Sequence, residues 1–355
     1  MGKELALAIV GHFDNILIVR TDRIGDVILT TPAIEALRKA YPRSKISILV
    51  SPLTRELVEG NPFLDEVIVD DRLGQHKGFC GFFQLARILK QKKFDLAIIF
   101  HTKKRSNALC FFARIPRRIG YHNNKFGFLL TDKIKDARHY GLKHEAEYCL
   151  DVLKYMGVHI DTVNLHLPVS QAAEEWAEQF LKDTNILDSE MLIAIHPGAS
   201  CPTKRWPVKR FADLMQRLDE DYGARIVMIG SNDVRGIAEE IRALVQKPFM
   251  DLSGKTTVGA LVSLLRRCVL LISNDSGPVH IAAAVGIPVI SIFTRDQPGI
   301  NPQRWRPLGS KGIAVCPKIK QEITFVKGKK IDDAFLGSIQ TADVLEAVDS
   351  IFKLC

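Results

Sequence analysis

Residues 15–41, NILIVRTDRIGDVILTTPAIEALRKAY, contain the pattern that decides the fold. The stretch opens with an apolar run over residues 15–20 and turns polar over residues 21–26. Apolar side chains then recur near helical spacing, which is typical of an amphipathic helix. They are Ile28, Ala33, Ile34, Leu37 and Tyr41. The stretch therefore predicts a strand, a loop and a helix, in that order.

The same alternation of apolar strands and amphipathic helices continues along the chain. A strand that is covered by helices on both faces is apolar throughout, so this alternation predicts a doubly wound, parallel α/β sheet. The pattern fades over residues 157–170, which contain Pro168 and are typical of an interdomain linker. It then restarts, which predicts a second α/β domain. The further predicted strands are 45–50, 65–69, 94–100, 191–196, 224–230, 248–252, 269–274 and 287–293, and the predicted helices include 81–91, 145–156, 208–222, 233–245, 258–267 and 278–285.

Length and composition agree with two packed domains. The chain has 355 residues, of which 46% are hydrophobic and 25% charged, as expected for a globular protein of more than one domain. No apolar run reaches the length of about eighteen residues that spans a bilayer, and the N-terminus has no clear cleavage site, so we expect an unprocessed, intracellular protein. The seven cysteines are scattered without a C-x-x-C pair, which indicates neither a disulfide framework nor a zinc site.

Positive charge is concentrated in one segment of the first half. The net charge of the whole chain is +9, yet residues 72–138 alone contain sixteen Lys and Arg against three Asp and no Glu. Such asymmetry indicates an anionic partner, either a phosphorylated substrate, an anionic membrane surface or nucleic acid, unless the charge is plain solvated surface. No nucleic-acid-binding motif accompanies the segment, so we expect no nucleic acid.

The loops after the strands are the places to look for chemistry. Ligands of open α/β sheets bind beyond the carboxyl ends of the strands, where helix N-termini present free N–H groups. The first such loop places Asp26 beside Gly25, with Asp22 close by. Asp26 is either a helix cap that accepts hydrogen bonds from backbone N–H groups or a general base that accepts a proton from an attacking hydroxyl.

Two loops of the second half suit a phosphate ligand. In residues 196–207, Lys204 and Arg205 add positive charge beside small residues that allow a close approach of the backbone. In residues 273–280, Ser276 and Gly277 open a helix whose N-terminus suits a diphosphate. A fourth loop, residues 293–298, is typical of a polar turn. Neither a G-x-x-x-x-G-K-[ST] loop nor a G-x-G-x-x-G fingerprint is present, which disfavours an ATPase or an ordinary dinucleotide enzyme.

Four motifs of these loops belong together. They are RTDRIGDVILTTPAIEALRKAYP at 20–42, IAIHPGA followed by KRWPVKRFADLMQRL within 193–218, DLSGKT at 251–256 and SNDSGPVHIAAAVGIPVISIF at 273–293. Together they resemble the ADP-heptose:lipopolysaccharide heptosyltransferase family over about residues 15–300. The resemblance implies a GT-B fold, with two Rossmann-like, doubly wound domains facing across a cleft. The acceptor-binding domain is then 1–165, the donor-binding domain is 170–335, and a C-terminal helix, 340–355, packs back on the first domain.

The resemblance also implies the reaction and the roles of several residues. The expected reaction is an inverting transfer of heptose from ADP-heptose to the inner core of lipopolysaccharide (lipid A-Kdo), without a metal or other cofactor. By motif match, Asp26 is the expected catalytic base and Lys204 is the expected lysine near the donor. The expected donor-binding residues are His196, Gly198, Ala199, Lys204, Asp275, Ser276, Gly277 and His280.

The chain departs from the family pattern after Phe293. It has TRDQP where many relatives have GPTDP, and it has only Cys316 where they have a later pair of cysteines. The motifs therefore do not define the donor pocket near residues 294–297.

The basic segment is the expected acceptor-binding surface. Lipopolysaccharide inner core is rich in carboxylate and phosphate and is assembled on the anionic cytoplasmic leaflet of the inner membrane, so we expect a cytoplasmic enzyme that is peripheral to that leaflet. The expected acceptor-binding residues are Lys103, Lys104, Arg105, Arg117, Arg118 and Lys125.

Two other functions remain open at this point. A nucleotide-sugar epimerase of similar architecture would bind the same kind of donor and act on it without an acceptor. A noncatalytic protein that binds a nucleotide sugar or a lipid surface would need no base, and the presence of Asp26, Lys204 and His280 argues against it.

Overall fold

The computed structural model describes residues 11–187, 189–317 and 338–353. The chain divides into two compact units, of which the first ends at Pro168 and the second begins at Val169. This boundary falls inside the stretch 157–170, where the sequence loses its periodicity.

The first unit is built on a six-stranded, fully parallel sheet with the order β3-β2-β1-β4-β5-β6. The central strands are buried along most of their length because helices cover both faces. This confirms the predicted doubly wound α/β sheet. The strands are β1 (Asn15–Val19), β2 (Lys45–Val50), β3 (Glu66–Val69), β4 (Leu96–Ile99), β5 (Arg117–His122) and β6 (Asp132–Lys135).

The first strand is followed by two helices where the sequence predicts one. The helical segment is interrupted near Thr30, which is the N-cap of the second helix. Pro32 lacks an N–H group, so it fits only into a first helical turn. Asp26 therefore lies in a short helix of its own. The helices of this unit are α1 (Ile24–Ile28), α2 (Thr31–Ala40), α3 (Gly78–Gln91), α4 (Lys104–Phe112) and α5 (Glu145–Tyr155).

The second unit repeats this architecture. Its strand order is β12-β11-β10-β7-β8-β9, again fully parallel, so the strand order relative to the first strand of the unit is the same in both sheets. The strands are β7 (Leu192–His196), β8 (Arg225–Met228), β9 (Met250–Asp251), β10 (Leu270–Asn274), β11 (Val289–Ile292) and β12 (Gly312–Val315). The helices are α6 (Gln171–Asp183), α7 (Val208–Tyr222), α8 (Arg235–Arg242), α9 (Val258–Leu265), α10 (Gly277–Val285), α11 (Pro302–Trp305) and α12 (Thr341–Phe352).

The C-terminal helix α12 belongs to the core of the second unit. Val344, Val348 and Ile351 are spaced to form one apolar stripe, and they are buried in the same cluster as Trp206 and Phe211. Helix α12 packs on α7, β11 and β12 of this unit, and the packing of helix 340–355 on the first domain stays a prediction. Residues 354 and 355 lie outside the described residues.

Candidate active site

Each sheet has a switch point where the strand order reverses. In the first unit it lies between β1 and β4, where Val19 pairs with Ile99, and in the second it lies between β7 and β10, where His196 pairs with Ser273. Loops diverge to opposite sides beyond such a point, so the carboxyl ends of these strands form the usual ligand-binding crevice. The loops singled out by sequence lie at these two edges.

At the first edge, one buried arginine holds three carboxylates. Arg20 directly follows β1, and its guanidinium Nη2 donates to Asp26 Oδ1 at 2.7 Å and to Glu145 Oε1 at 2.9 Å. Its Nε lies 3.1 Å from Asp22 Oδ1. The side chains of Arg20 and Glu145 are each 2% exposed, so water screens this cluster poorly. We call these four residues the Arg20 cluster.

The surroundings of Asp26 raise its proton affinity. Burial raises the pKa of Asp26 to about 7; the charge of Arg20 opposes this shift, and the charges of Asp22 and Glu145 add to it. A carboxyl group with such a pKa exchanges a proton near neutral pH, as a general base must. The N-cap of α1 is Arg23, so Asp26 does not fill that position, and its carboxylate is oriented by Arg20 instead.

His101 is another titratable group in reach of this loop. Its Nδ1 lies 2.8 Å from Thr21 Oγ1, and burial lowers the pKa of His101 to about 3. The imidazole is therefore neutral at physiological pH and too weakly basic to compete with Asp26 for a proton.

The structure separates the six basic residues that were assigned to the acceptor. Arg117 and Arg118 lie at the amino end of β5, where they pair in register with Leu96 and Ala97 at the start of β4. Asp26, in contrast, lies beyond the carboxyl end of β1. The two arginines thus lie at the opposite edge of the sheet, where Arg117 pairs with Asp132 at 3.2 Å.

Arg105 lies at the edge that carries Asp26, and its guanidinium is paired with a carboxylate. Its guanidinium forms two hydrogen bonds with Asp70, at 2.8 and 2.7 Å, and donates to the carbonyl of His76 at 3.0 Å. This bidentate pair ties the start of α4 to the end of β3.

Lys103, Lys104 and Lys125 remain at the edge that carries Asp26. Lys103 is the N-cap of α4, and burial together with the charge of Lys125 lowers its pKa. Asp22 and Arg23 also act on the charge of Lys103, which places this lysine near the Asp26 loop. Lys104 Nζ lies 5.5 Å from the centre of the Phe126 ring.

At the second edge, a neutral network replaces the carboxylates. His196 ends β7, and its Nδ1 lies 3.0 Å from Ser276 Oγ and 3.2 Å from Ser273 Oγ. The two serine hydroxyls lie 2.9 Å apart. Burial lowers the pKa of His196 to about 4, so the ring is neutral at physiological pH. His196 therefore orients Ser276 and supplies no positive charge of its own.

Lys204 and Asp275 form an ion pair beside this network. The loops that carry them are joined through Asn274, whose Oδ1 accepts from Trp206 N at 3.0 Å and whose Nδ2 donates to Pro197 O at 2.7 Å. The buried amide thus fixes the position of the lysine loop relative to the start of α10.

The start of α10 presents backbone groups at the same edge. Ser276 is its N-cap, Gly277 is its first residue, and the buried His280 lies in its first turn. Gly198 has no room for a side chain, because an added Cβ would lie 2.6 Å from Val234 Cγ2. A helix N-terminus, a lysine and close-packed glycine backbone form an arrangement that suits a diphosphate.

The fourth loop contributes to this edge, although the sequence did not reveal how. Thr294 Oγ1 donates to Thr203 O at 3.0 Å, and Arg295 Nη1 lies 3.0 Å from Thr203 Oγ1. Arg295 also donates to Gln297 Oε1 at 3.0 Å. Residues 294–297 therefore pack on the short helix that carries Lys204.

Four residues of these edges were not assigned by sequence. Arg20 and Ser273 stand inside quoted motifs, so their position was visible but their partners were not. Arg295 lies in the TRDQP stretch, but no role was predicted for it, and Glu145 has no local signal. The contacts of both residues join segments that are far apart in the chain.

Two further observations concern the described residues as a whole. Within residues 11–187, 189–317 and 338–353, no group of three or more His, Cys, Asp and Glu side chains is arranged to hold a metal ion. No helix in the same part of the chain has the length and apolar character needed to cross a membrane.

Two tandem, doubly wound parallel units with these edges define the GT-B class of glycosyltransferases. The chain belongs to glycosyltransferase family 9 (heptosyltransferase), whose sequence model matches residues 82–334. The protein is therefore an enzyme of the heptosyltransferase type, as the motifs predicted.

Named relatives cover most of the chain. It is 28% identical over 311 residues to lipooligosaccharide heptosyltransferase 2 of Haemophilus influenzae, a match that covers 85% of this chain and 88% of the relative. It is 26% identical over 316 residues to lipopolysaccharide heptosyltransferase 2 of Salmonella typhimurium, which covers 84% of this chain and 87% of the relative.

Solved structures agree on the fold. The glycosyl transferase family 9 from Veillonella parvula has a TM-score of 0.85 and 27% identity, and the match covers 96% of this chain and 98% of that one. The Escherichia coli ADP-heptose lipopolysaccharide heptosyltransferase II has a TM-score of 0.73 at 23% identity, with 95% and 98% coverage. The second likeness bears on the GT-B fold alone.

Proposed function

We propose that this enzyme transfers heptose from ADP-heptose to the inner core of lipopolysaccharide, with inversion at the anomeric carbon and without a metal ion. The observation that carries the proposal is Asp26, a partly buried carboxyl group that Arg20 holds at 2.7 Å and whose pKa is about 7, in the first unit of a heptosyltransferase-family chain. The names of the relatives support the choice of heptose and of a lipopolysaccharide acceptor.

Asp26 acts on the acceptor. As a hydroxyl oxygen of the acceptor forms its bond to the anomeric carbon of heptose, its proton passes to the Asp26 carboxylate. The guanidinium of Arg20 holds that carboxylate in place through the 2.7 Å hydrogen bond. The base is competent above a pH of about 7, where its carboxyl group is ionised.

The second unit acts on the leaving group. The bond between the anomeric carbon and the β-phosphate oxygen breaks, and its electron pair leaves with ADP. Lys204, Ser276 and the N-terminus of α10 stabilise the negative charge that develops on the diphosphate. Asp275, which pairs with Lys204, orients the lysine. His196, Gly198, Ala199, Gly277 and His280 form the rest of the proposed donor edge.

A metal ion is not needed for this scheme. In metal-dependent transferases a divalent cation neutralises the diphosphate, and here a lysine and a helix N-terminus occupy that role. We expect activity to survive EDTA. Loss of activity in EDTA that Mg²⁺ restores would contradict this part of the proposal.

The acceptor determines where the enzyme works. A lipid-linked acceptor with carboxylate and phosphate groups requires access to the cytoplasmic leaflet of the inner membrane, so we propose a cytoplasmic enzyme that is peripheral to that leaflet. Lys103, Lys104 and Lys125 supply positive charge at the edge that carries Asp26, which suits such an acceptor.

Mass analysis of the products tests the proposal. The enzyme is incubated with ADP-heptose and a panel of truncated lipopolysaccharide acceptors, and we expect ADP and an acceptor heavier by one heptose. Incubation with donor alone is the control, since an epimerase would convert the nucleotide sugar without acceptor. Neither product, with retained donor binding, would indicate a noncatalytic binding protein.

A further inference from the structure

Four phenylalanines are exposed on the outer faces of α3 and α4. Phe79, Phe83, Phe111 and Phe112 have 85, 49, 44 and 48% of their surface exposed. The rings of Phe83 and Phe112 lie 5.3 Å apart, and those of Phe111 and Phe112 lie 5.5 Å apart. Phe79 precedes Phe83 by one helical turn. We call these four residues the aromatic patch.

The aromatic patch is separate from the core contacts of the same helices. Leu85 and Leu89 of α3 and Leu109 and Cys110 of α4 are buried in the cluster that packs on the sheet. Both helices therefore already have a covered apolar face, and the aromatic patch is a second one. Adjoining exposed aromatic side chains of this kind mark binding surfaces on soluble proteins.

Positive charge borders the aromatic patch. On α3, Phe79, Phe83, Arg87 and Lys90 are exposed at helical spacing, so they share one stripe of the helix surface. On the other side, the Arg118 guanidinium lies 5.7 Å from the centre of the Phe111 ring. The aromatic rings and the cations thus occur on the same outer surface.

Acidic residues are nearly lacking in the sequence of this region. Between residues 72 and 131 the sequence contains one acidic residue, Asp95. Its Oδ2 accepts hydrogen bonds from the backbone N–H groups of Asp14 and Asn15 at 2.9 and 2.8 Å. The Asp95 carboxylate is therefore hydrogen-bonded to the backbone at the start of β1. Helices α3 and α4 therefore present aromatic and cationic side chains, and their own sequences contain no Asp or Glu.

We propose that the aromatic patch and its flanking cations dock the first unit on an anionic lipid bilayer. Aromatic rings enter the boundary between head groups and acyl chains, while Lys and Arg side chains reach the anionic head groups. A second copy of this chain is a poorer occupant, because a symmetric contact would bring Arg87 and Lys90 against cations of the partner copy. The inference rests on the proposed function only for the source of the membrane.

Vesicle co-sedimentation with the full-length protein tests the proposal without any nucleotide sugar. We expect at least about tenfold tighter binding to vesicles of phosphatidylglycerol and phosphatidylethanolamine than to phosphatidylcholine vesicles. The triple variant Phe79→Ser, Phe83→Ser, Phe112→Ser should weaken binding to the anionic vesicles by about tenfold or more. Leu244→Ser is the matched control, since Leu244 of the second unit is 44% exposed, and it should bind as the wild type does.

A second variant covers the case in which the triple variant does not fold. Arg87→Glu with Lys90→Glu keeps every ring and reverses the charge of the α3 stripe, and it should also lose binding to anionic vesicles. Transfer to a deacylated, soluble acceptor should stay unchanged in both variants, which separates this proposal from the proposed function.

Three results would overturn the docking proposal. The first is wild-type protein that binds neither kind of vesicle. The second is variants that bind anionic vesicles as tightly as the wild type does. The third is a dimer of the wild type, seen by sedimentation velocity, that the triple variant abolishes while vesicle binding persists. The aromatic patch would then be a contact between copies of the chain.

Discussion

The two switch points have the same strand order but opposite electrostatics. Beyond β1 and β4, three carboxylates surround the buried guanidinium of Arg20. Beyond β7 and β10, a neutral imidazole and two serine hydroxyls lie beside one ion pair and a helix N-terminus. The cluster of carboxylates favours uptake of a proton. The lysine and the helix N-terminus favour negative charge that develops on a ligand. The same strand order therefore carries two different chemical arrangements, because the loop residues differ.

The difference arises in the loop after each central strand. After β1, the Arg20 side chain is buried, and its guanidinium pairs with carboxylates of its own loop and of α5. After β7, Gly198 packs so closely against the Val234 side chain that an added Cβ would not fit. Burial raises the pKa of Asp26, and the charges of Asp22 and Glu145 add to this shift, whereas the second edge presents the N-terminus of α10 to a ligand.

The largest expected effect is the loss of the base in the first unit. Asp26→Asn keeps the side-chain size but cannot accept the acceptor proton, so we expect kcat to fall by about 10²-fold to 10⁴-fold. The dissociation constant for ADP-heptose, measured by calorimetry, should stay within about twofold, since the donor edge belongs to the other unit. Asp151→Asn is the control, since it removes the ion pair between Asp151 of α5 and Lys143. Wild-type turnover in Asp26→Asn would mean that the carboxylate has only a structural role.

The next largest effect belongs to the donor edge. Lys204→Ala should weaken ADP binding by about tenfold to a hundredfold, because a hydrogen bond to a charged group contributes about 1.5–3 kcal/mol and the change also leaves Asp275 without its partner. Lys209→Ala, at an exposed position of α7, is the matched control. Unchanged ADP binding in Lys204→Ala would exclude the lysine from the donor site.

A smaller effect should separate the basic residues that face the Asp26 edge from those that do not. Lys103→Ala with Lys125→Ala should raise KM for the acceptor about threefold to tenfold at low salt and less at high salt, because salt screens exposed charges. Arg117→Ala should leave that KM unchanged, since Arg117 lies at the amino end of β5. The reverse outcome would move the acceptor to the other edge of the sheet.

The smallest effect tests whether the Arg20 cluster sets the pKa of the base. Glu145→Gln removes a negative charge that raises the pKa of Asp26 and leaves more of the positive charge of Arg20 for Asp26. Both changes lower that pKa, so the acidic limb of the kcat/KM profile should move to lower pH by up to about one unit. A profile that keeps its position while activity falls would assign Glu145 to structure alone.

Much of the fold can be predicted from sequence because buried parallel strands are apolar throughout. The predicted strands at 45–50 and 269–274 and the helix at 208–222 are confirmed. Strands β5 and β6 were not predicted, since RRIGYH and DKIK are rich in charge. In the strand order, β6 is the outermost strand and β5 is next to it. β5 is paired with β4 and β6 with β5, so their place in the sheet depends on these neighbours rather than on their own composition.

The site was predictable in part for a similar reason. The motifs predicted that Lys204, Asp275 and Ser276 lie at one edge, and the structure places them there. Local sequence could not reveal that Arg105 is bound to Asp70, or that Glu145 reaches Arg20 across 125 positions of the chain. Such pairings depend on tertiary packing, and they decide whether a charge is available to a ligand.

The pH dependence of kcat/KM for the wild-type enzyme tests most directly whether Asp26 is the base. Because the pKa of this partly buried carboxyl group is about 7, the ionised base is lost as the pH falls through that value. We predict that kcat/KM, measured with saturating ADP-heptose and limiting acceptor, falls about tenfold per pH unit below an apparent pKa near 7. A rate that stays constant down to pH 5 would contradict this account, because a carboxyl group with a pKa near 7 could not then be the proton acceptor.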